Sequence, residues 1–261
     1  ARLGEKDTGG MNVYVLQLAR DLARLGHRVD VYTRRHDPRD PQVVDLAEGA
    51  RVIHLDGGPY DNAKSTLYNH IPRFLDDLCS YQRSEGLDYD LVHSHYWLSA
   101  RIGAVLSEKW AVPHVTTLHT TAKTKLQARA GEEETELRIS VEHNALRDAD
   151  AIVVSTQHER EALARLYGAP LHKVHVVPAG VDTELFRPMA KSEARRLLDV
   201  AEANVVLYVG RIEPLKGLEL LLNAAALLDD MADTRLIIVG GKPAEDIELQ
   251  RLEVLAERLG I

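Results

Sequence analysis

Cysteine is nearly absent: Cys79 stands alone in 261 residues, which excludes an internal disulfide and a cysteine-rich metal centre. It lies in Leu75-Asp76-Asp77-Leu78-Cys79-Ser80-Tyr81, which reads as helix and makes it a spectator thiol. A basic surplus is also missing. Lys and Arg number 32 against 40 Asp and Glu, and a net charge of −8 argues against nucleic acid as the main partner. No apolar run approaches the roughly 20 residues that span a bilayer, and no charged segment followed by a hydrophobic one opens the chain. The expected location is the cytoplasm. No Gly-x-Gly-x-x-Gly follows a strand with an acidic residue about 20 positions on, which argues against NAD-linked chemistry. What is present is 45% hydrophobic residues, enough for one large or two smaller domains.

Apolar residues at helical spacing, Val13, Leu16, Ala19, Leu22 and Leu25, predict a first helix from about Gly10 to Gly26. Strands are expected at 28–33, 51–55, 91–95, 114–118, 151–155 and 174–177, with helices around 67–83, 98–110, 133–147 and 158–167. Such alternation implies parallel strands joined by right-handed crossovers, hence a doubly wound α/β sheet. The segment Pro178 to Pro188, with two prolines and a glycine, breaks the rhythm and reads as a domain connection. After it come a helix at 192–198, a strand at 205–209, a helix at 218–228, a strand at 235–239 and a helix at 247–259. The expected domains are 1–183 and 184–261. The first lacks a strand ahead of Gly9-Gly10. The second has two strands, too few to close a doubly wound sheet. The chain therefore reads as a fragment cut at both ends.

The richest stretch is Val205-Val206-Leu207-Tyr208-Val209-Gly210-Arg211-Ile212-Glu213-Pro214-Leu215-Lys216-Gly217. It sets two cations, Arg211 and Lys216, between a strand and a helix start, where free N–H groups and the helix dipole favour the same anion. A nucleotide diphosphate fits there. Alternatively, both are solvated loop charges. Gly240-Gly241 repeats the arrangement at the next strand end. His119 also ends a strand, the position at which ligands bind in open α/β sheets. His93 and His95 share a strand face at i, i+2 spacing; no third metal ligand is evident nearby, and both could shape a binding wall instead. Gly9-Gly10 is either a turn before a helix or a place for close backbone approach. Trp97 and Trp110 read as packing, and Glu132-Glu133-Glu134 as a solvated helix start.

Four motifs in order, Asp7-Thr8-Gly9-Gly10-Met11-Asn12-Val13-Tyr14-Val15, His93-Ser94-His95-Tyr96-Trp97-Leu98-Ser99, Val177-Pro178-Ala179-Gly180-Val181-Asp182 and Gly210 through Gly217, resemble those of the GT-B glycosyltransferases, and more narrowly the retaining family 4 enzymes. The resemblance covers essentially the whole chain. It implies two Rossmann-like domains and a nucleotide-sugar donor, UDP-linked, with Gly9, Gly10, Asn12, Gly210, Gly240 and Gly241 at the donor. Arg211 and Lys216 would neutralise the departing diphosphate, and His119 would contact the donor sugar. The Gly-Gly-Met-Asn and His-Ser-His-Tyr-Trp versions look most like the mycothiol-pathway branch, which glycosylates inositol phosphate. The branch acting on fructose 6-phosphate comes second. In the first branch Lys64, Tyr96, Thr120 and Arg138 would hold the acceptor phosphate, a set that supplies ammonium, hydroxyl and guanidinium donors. Each has a plainer reading: loop charge, half-buried ring, turn residue and helix-surface charge.

The resemblance implies no metal and no other cofactor. It implies retention by front-face attack, with the leaving phosphate taking the acceptor's proton. Family members carry two Glu seven residues apart later in the second domain; these 261 residues stop before them, so the isolated piece is expected to be inactive. Other readings stay open: a membrane-lipid acceptor, with Arg20, Arg24, Arg28, Arg34 and Arg35 diluted by Asp21, Asp30 and Asp37, or a non-catalytic sugar-phosphate binding module. Nothing in the sequence settles oligomeric state, which leaves room for a homodimer.

Overall fold

The computed structural model describes residues 9–59, 64–128, 133–202, 204–228, 233–241 and 247–261. It divides into two compact units between Gly180 and Val181, within the irregular stretch around Pro178.

Helix α1 (Gly10–Arg24) leads into β1 (Val29–Arg34). A hairpin of β2 (Val43–Ala47) and β3 (Ala50–Leu55) follows, and β1-β3-β2 form one sheet. β1 and β3 are parallel, from Val29 opposite Ala50 to Arg34 opposite Leu55. β2 runs antiparallel to β3, a departure from the expected purely parallel alternation. Its cause is local: Glu48-Gly49 makes a two-residue turn, and Gly49 takes φ 81, a left-handed value that glycine adopts without strain.

The second sheet is parallel throughout, in the order β4 (Val92–His95), β5 (His114–Thr117), β6 (Ala151–Val154), β7 (Val174–Val176). Around these strands come α2 (Ile71–Ser84), α3 (Trp97–Trp110), α4 (Ala122–Ala128), α5 (Glu136–Asp148) and α6 (Gln157–Tyr167). A 3-10 turn over Lys64–His70 takes the place of the expected first turn of α2, because Pro72 fixes the α-helical start behind it. Gly103 in α3 lets the helix lie close on β5: a Cβ there would stand 2.4 Å from His114 Nε2.

Two apolar clusters fill this unit. One joins Ala100, Leu118, Leu146, Ile152, Leu163 and Val174; the other joins Ile53, Leu55, Leu78, Cys79 and Leu106, with Tyr32, Val92 and Trp110 against it. Cys79 is thus a buried core thiol and Trp110 a packing residue, whereas Trp97 stacks on Tyr68 with ring centres 5.9 Å apart.

The second unit holds α7 (Lys191–Leu197), β8 (Asn204–Val209), α8 (Leu218–Ala225), β9 (Thr234–Val239) and α9 (Ile247–Leu259), with β8 and β9 parallel. Ile212, Leu218, Leu222 and Leu252 form its core. Val205, Leu207 and Val209, alternate residues of β8, are exposed on the same strand face. Among the described residues no helix is long and apolar enough to cross a membrane.

Candidate active site

The carboxyl ends of the neighbouring strands β4 and β5 carry two residues in backbone conformations that cost energy. Tyr96, directly after β4, has φ 79 and ψ 158. His119, two residues beyond β5, has φ 60, and the Leu118 carbonyl accepts from the Thr120 N–H across it at 2.7 Å, which closes a three-residue turn. Each such residue costs about 1–3 kcal/mol, held in place by surrounding bonds. Here the Tyr96 N–H donates to the Thr117 carbonyl at 2.9 Å, which carries the β4–β5 pairing up to the strained Tyr96. Strain of this kind concentrates at functional sites.

Imidazoles line the same strand ends. His95 Nδ1 lies 3.0 Å from His119 Nε2, and His93 Nε2 lies 2.9 Å from Thr117 Oγ1. Tyr14 of α1 sets its ring edge-on to both His95 and His119, with centres 5.9 and 5.2 Å away. Burial, and then the neighbouring imidazoles, hold His93 down to about 4 and His95 to about 2, and burial lowers His119 as well. All three are therefore neutral near pH 7. A neutral pair shares one proton across the 3.0 Å contact: if His95 donates, His119 keeps its proton on Nδ1; if His119 donates, its Nδ1 is a bare acceptor. The His93 and His95 pair of the sequence thus directs one ring nitrogen each to Thr117 and His119. Among the described residues no group of three His, Cys, Asp or Glu side chains could hold a metal ion.

Beneath the turn lies an ion network. Arg138, on α5, is 4% exposed, so the reading of a helix-surface charge does not hold. Its Nε donates to Glu142 at 2.8 Å, one terminal nitrogen to Glu134 at 2.8 Å and the other to the Thr120 carbonyl at 3.1 Å. Its guanidinium carbon sits 5.2 Å from the centre of the Tyr96 ring. Glu142, fully buried, also accepts from the Ala122 N–H at 2.9 Å and from the Tyr167 hydroxyl. Arg138 and Glu142 thereby tie the Thr120–Ala122 segment to α5. Glu134 accepts from Lys125 too, and its side chain is only 10% exposed. This corrects the expectation of a solvated run at Glu134, while Glu133 is exposed: the helix starts at Glu136 behind the Thr135 N-cap, and two cations draw Glu134 inward. Glu132 lies outside the described residues.

Three of the four residues expected to hold the acceptor phosphate, Tyr96, Thr120 and Arg138, therefore meet at one place next to His119. The fourth, Lys64, opens the 3-10 turn before α2, and its side chain lies outside the described residues. Gly10 opens α1, and a Cβ on Gly9 or Gly10 would meet no described atom within 4 Å. Neither residue has positive φ, so neither packing nor backbone conformation among the described residues requires glycine there. Asn12 is exposed on the first turn of α1.

In the second unit, Ile212 is buried and anchors the loop after β8, which leaves its neighbour Arg211 in solvent. Arg211 pairs with Glu213 at 2.7 Å, and its carbonyl accepts from the Tyr208 hydroxyl at 2.8 Å. Lys216 is exposed at the end of a 3-10 turn, directly before Gly217 at φ 72. Gly210 and Gly240 pack together: the Gly210 N–H donates to Val239, and a Cβ on Gly240, at φ 153, would lie 1.8 Å from the Gly210 carbonyl oxygen. Gly241 follows at φ 75.

Lys125, Glu142 and Thr117 were not singled out from the sequence, and Glu134 was read there only as part of a solvated run. For the two glutamates a signal existed: Glu134, Arg138 and Glu142 fall at i, i+4, i+8, one face of a helix.

Comparison with known proteins agrees with this architecture. Residues 8–185 match the model of Glycosyltransferase Family 4, and residues 190–261 that of Glycosyl transferases group 1. A D-inositol 3-phosphate glycosyltransferase of Xylanimonas cellulosilytica is 39% identical over 99% of this chain and 64% of its own length, so the chain spans somewhat less than two thirds of that relative. Sucrose-phosphate synthase from Thermosynechococcus elongatus superposes with a TM-score of 0.87 and 31% identity, over 100% of this chain and 65% of that one. Anabaena HepE in complex with UDP and glucose, 20% identical, shares the fold at a TM-score of 0.69 over 100% of this chain and 65% of that one. The α/β architecture is that of the GT-B glycosyltransferases, and the chain belongs to Glycosyltransferase Family 4.

Proposed function

We propose that the whole protein is a retaining glycosyltransferase that moves a sugar from a UDP-linked donor to inositol phosphate. The observation that carries this reading is the meeting of Tyr96, Thr120 and Arg138 beside His119, in a chain whose relatives include a D-inositol 3-phosphate glycosyltransferase. A phosphoryl group suits that place because Arg138 supplies a permanent positive charge and the Tyr96 and Thr120 hydroxyls are donors. His119, at the same turn, orients the donor sugar through a ring nitrogen. Arg211 and Lys216 oppose the charge that develops on the departing diphosphate, a term worth about 3–4 kcal/mol per well-placed donor. The leaving phosphate takes the acceptor's hydroxyl proton, so no side-chain base is needed. Gly9, Gly10, Gly240 and Gly241 admit the donor close to the backbone, and Lys64 adds a further cation at the acceptor phosphate.

The test incubates the full-length protein with UDP-N-acetylglucosamine, UDP-glucose or GDP-mannose, each with inositol 3-phosphate or fructose 6-phosphate, and reads products by mass spectrometry. An N-acetylhexosaminyl inositol phosphate is expected. A hexosyl fructose phosphate would move the acceptor to the second reading, which the likeness to sucrose-phosphate synthase favours. No product from any pair would remove both.

A further inference from the structure

We propose that Lys125 and Arg138 form a phosphate subsite which Glu134 fills as an internal anion, and that a phosphomonoester binds by displacing this carboxylate. The inference rests on the acceptor reading above and extends it by one cation and one competitor.

Both cations converge on a single oxygen, Oε1 of Glu134. Two positive groups sharing one oxygen stand close enough to bridge two oxygens of one phosphoryl group. Arg138 brings the terminal nitrogen that Glu134 holds and Lys125 a rotatable ammonium. The surroundings match: the Tyr96 ring lies against the guanidinium, and Arg138 also bonds the Thr120 carbonyl.

The two glutamates on Arg138 differ in how firmly they are held. Glu142 is fully buried and accepts from the Ala122 N–H and the Tyr167 hydroxyl as well as from Arg138. It cannot leave without stranding three donors. Glu134 precedes the N-cap, where Thr135 accepts from the Arg138 N–H at 3.2 Å, so its side chain can swing away while the first turn of α5 stays capped.

Charge makes displacement necessary. With Glu134 in place, Arg138 is held between Glu134 and Glu142, and an arriving dianion would meet both carboxylates in a partly buried space. With Glu134 gone, the dianion replaces one negative charge with about two and faces both cations. Without a ligand the carboxylate has its own use, since Arg138 beside Lys125 would otherwise be a buried, under-compensated charge. The site therefore stays folded when empty and selects for an anion over a neutral group.

The experiment is calorimetric titration of the full-length protein with inorganic phosphate at fixed ionic strength, for wild type, Glu134→Gln and Lys125→Gln. Glu134→Gln removes the competitor, and phosphate is expected to bind about tenfold more tightly; Lys125→Gln is expected to weaken it by about fivefold or more. Should Glu134→Gln fail to fold, Glu134→Asp, which is one methylene shorter and sets its carboxylate back from both cations, must move the affinity in the same direction. Unchanged phosphate affinity, within about twofold, in the folded Glu134 variant overturns the proposal. The two readings separate cleanly. Tighter phosphate binding without sugar transfer to inositol phosphate keeps the subsite and removes the acceptor, whereas transfer with unaltered phosphate affinity does the reverse.

Discussion

Nδ1 of His95 lies 3.0 Å from Nε2 of His119, so one proton serves two rings, and the state of one fixes what the other presents. His119 is the ring assigned to the donor sugar; His95 sets its tautomer and, with Tyr14, its orientation. His95→Phe keeps a planar aromatic ring and removes the hydrogen-bond partner. Its kcat/KM in the full-length protein is expected to fall by about tenfold to a hundredfold, the scale of losing an orienting group. His95→Gln, which can still donate or accept, should recover part of the loss. Equal rates for His95→Phe and wild type would show that His119 needs no such partner.

The depressed histidines predict a pH dependence with a definite sign. His93 titrates at about 4 in the folded state against an ordinary 6.5, so between these values the unfolded chain binds more protons and stability rises with pH. Acidification from pH 7 to 5 therefore costs up to about 2 kcal/mol through His93 alone, at about 1.4 kcal/mol per unit. His95, lower still, adds to the loss. Urea unfolding at both pH values checks this: His93→Gln should lose less stability than wild type over that interval, and an identical loss would mean that His93 is not kept neutral.

Much of this architecture is legible in the residues. The 2.0 and 3.6 periods locate the strands and long helices to within a few positions, and the strand ends point to Tyr96 and His119. β2 is not legible from alternation alone, because Val43-Val44-Asp45-Leu46-Ala47 is short and a bulge between Asp45 and Ala47 disturbs its register. α4, seven residues behind a tight turn, is too brief to show a period. The half-buried state of Glu134 is illegible for a different reason. Its partner Lys125 lies nine residues back, in another helix, and only tertiary contact draws Glu134 inward while Glu133 stays exposed.

Glu142 is expected to be the most costly side chain to remove near the site. It neutralises Arg138 in a space where neither is solvated, and it also caps Ala122 and holds the Tyr167 hydroxyl. Glu142→Ala should destabilise the protein by about 3–5 kcal/mol, the range for breaking a buried pair on one side. Chemical denaturation measures it. A loss below about 1 kcal/mol would class the pair with solvent-screened surface bridges.

Gly240 is required by geometry: a Cβ would stand 1.8 Å from the Gly210 carbonyl oxygen, and φ 153 suits no other residue. Gly240→Ala must part the ends of β8 and β9, at a cost of roughly 2–4 kcal/mol. Because Met11–Gly180 is a separate compact unit, hydrogen exchange should rise within 181–261 while the β4–β7 sheet keeps its protection. Exchange that rises equally in both units would mean that they unfold together.

Arg211 and Lys216 answer to the donor, and the local geometry suggests how. Buried Ile212 pins the loop, Gly217 turns it, and both cations are left in solvent within six residues, with Arg211 steadied by Glu213. An exposed pair of this kind is worth about 0–1 kcal/mol, so a diphosphate can compete for the guanidinium at little cost. Arg211→Ala and Lys216→Ala are each expected to lower kcat of the full-length protein by about 10²–10³, because their charge matters most as the diphosphate departs. Arg211→Lys should not restore the rate, since a point charge lacks the planar fork. The acceptor KM should stay near the wild-type value in all three, as the acceptor phosphate is assigned to Tyr96, Thr120 and Arg138. Near-normal kcat in both alanine variants would return the two residues to solvated loop charges, and a raised acceptor KM with normal kcat would move them to the acceptor.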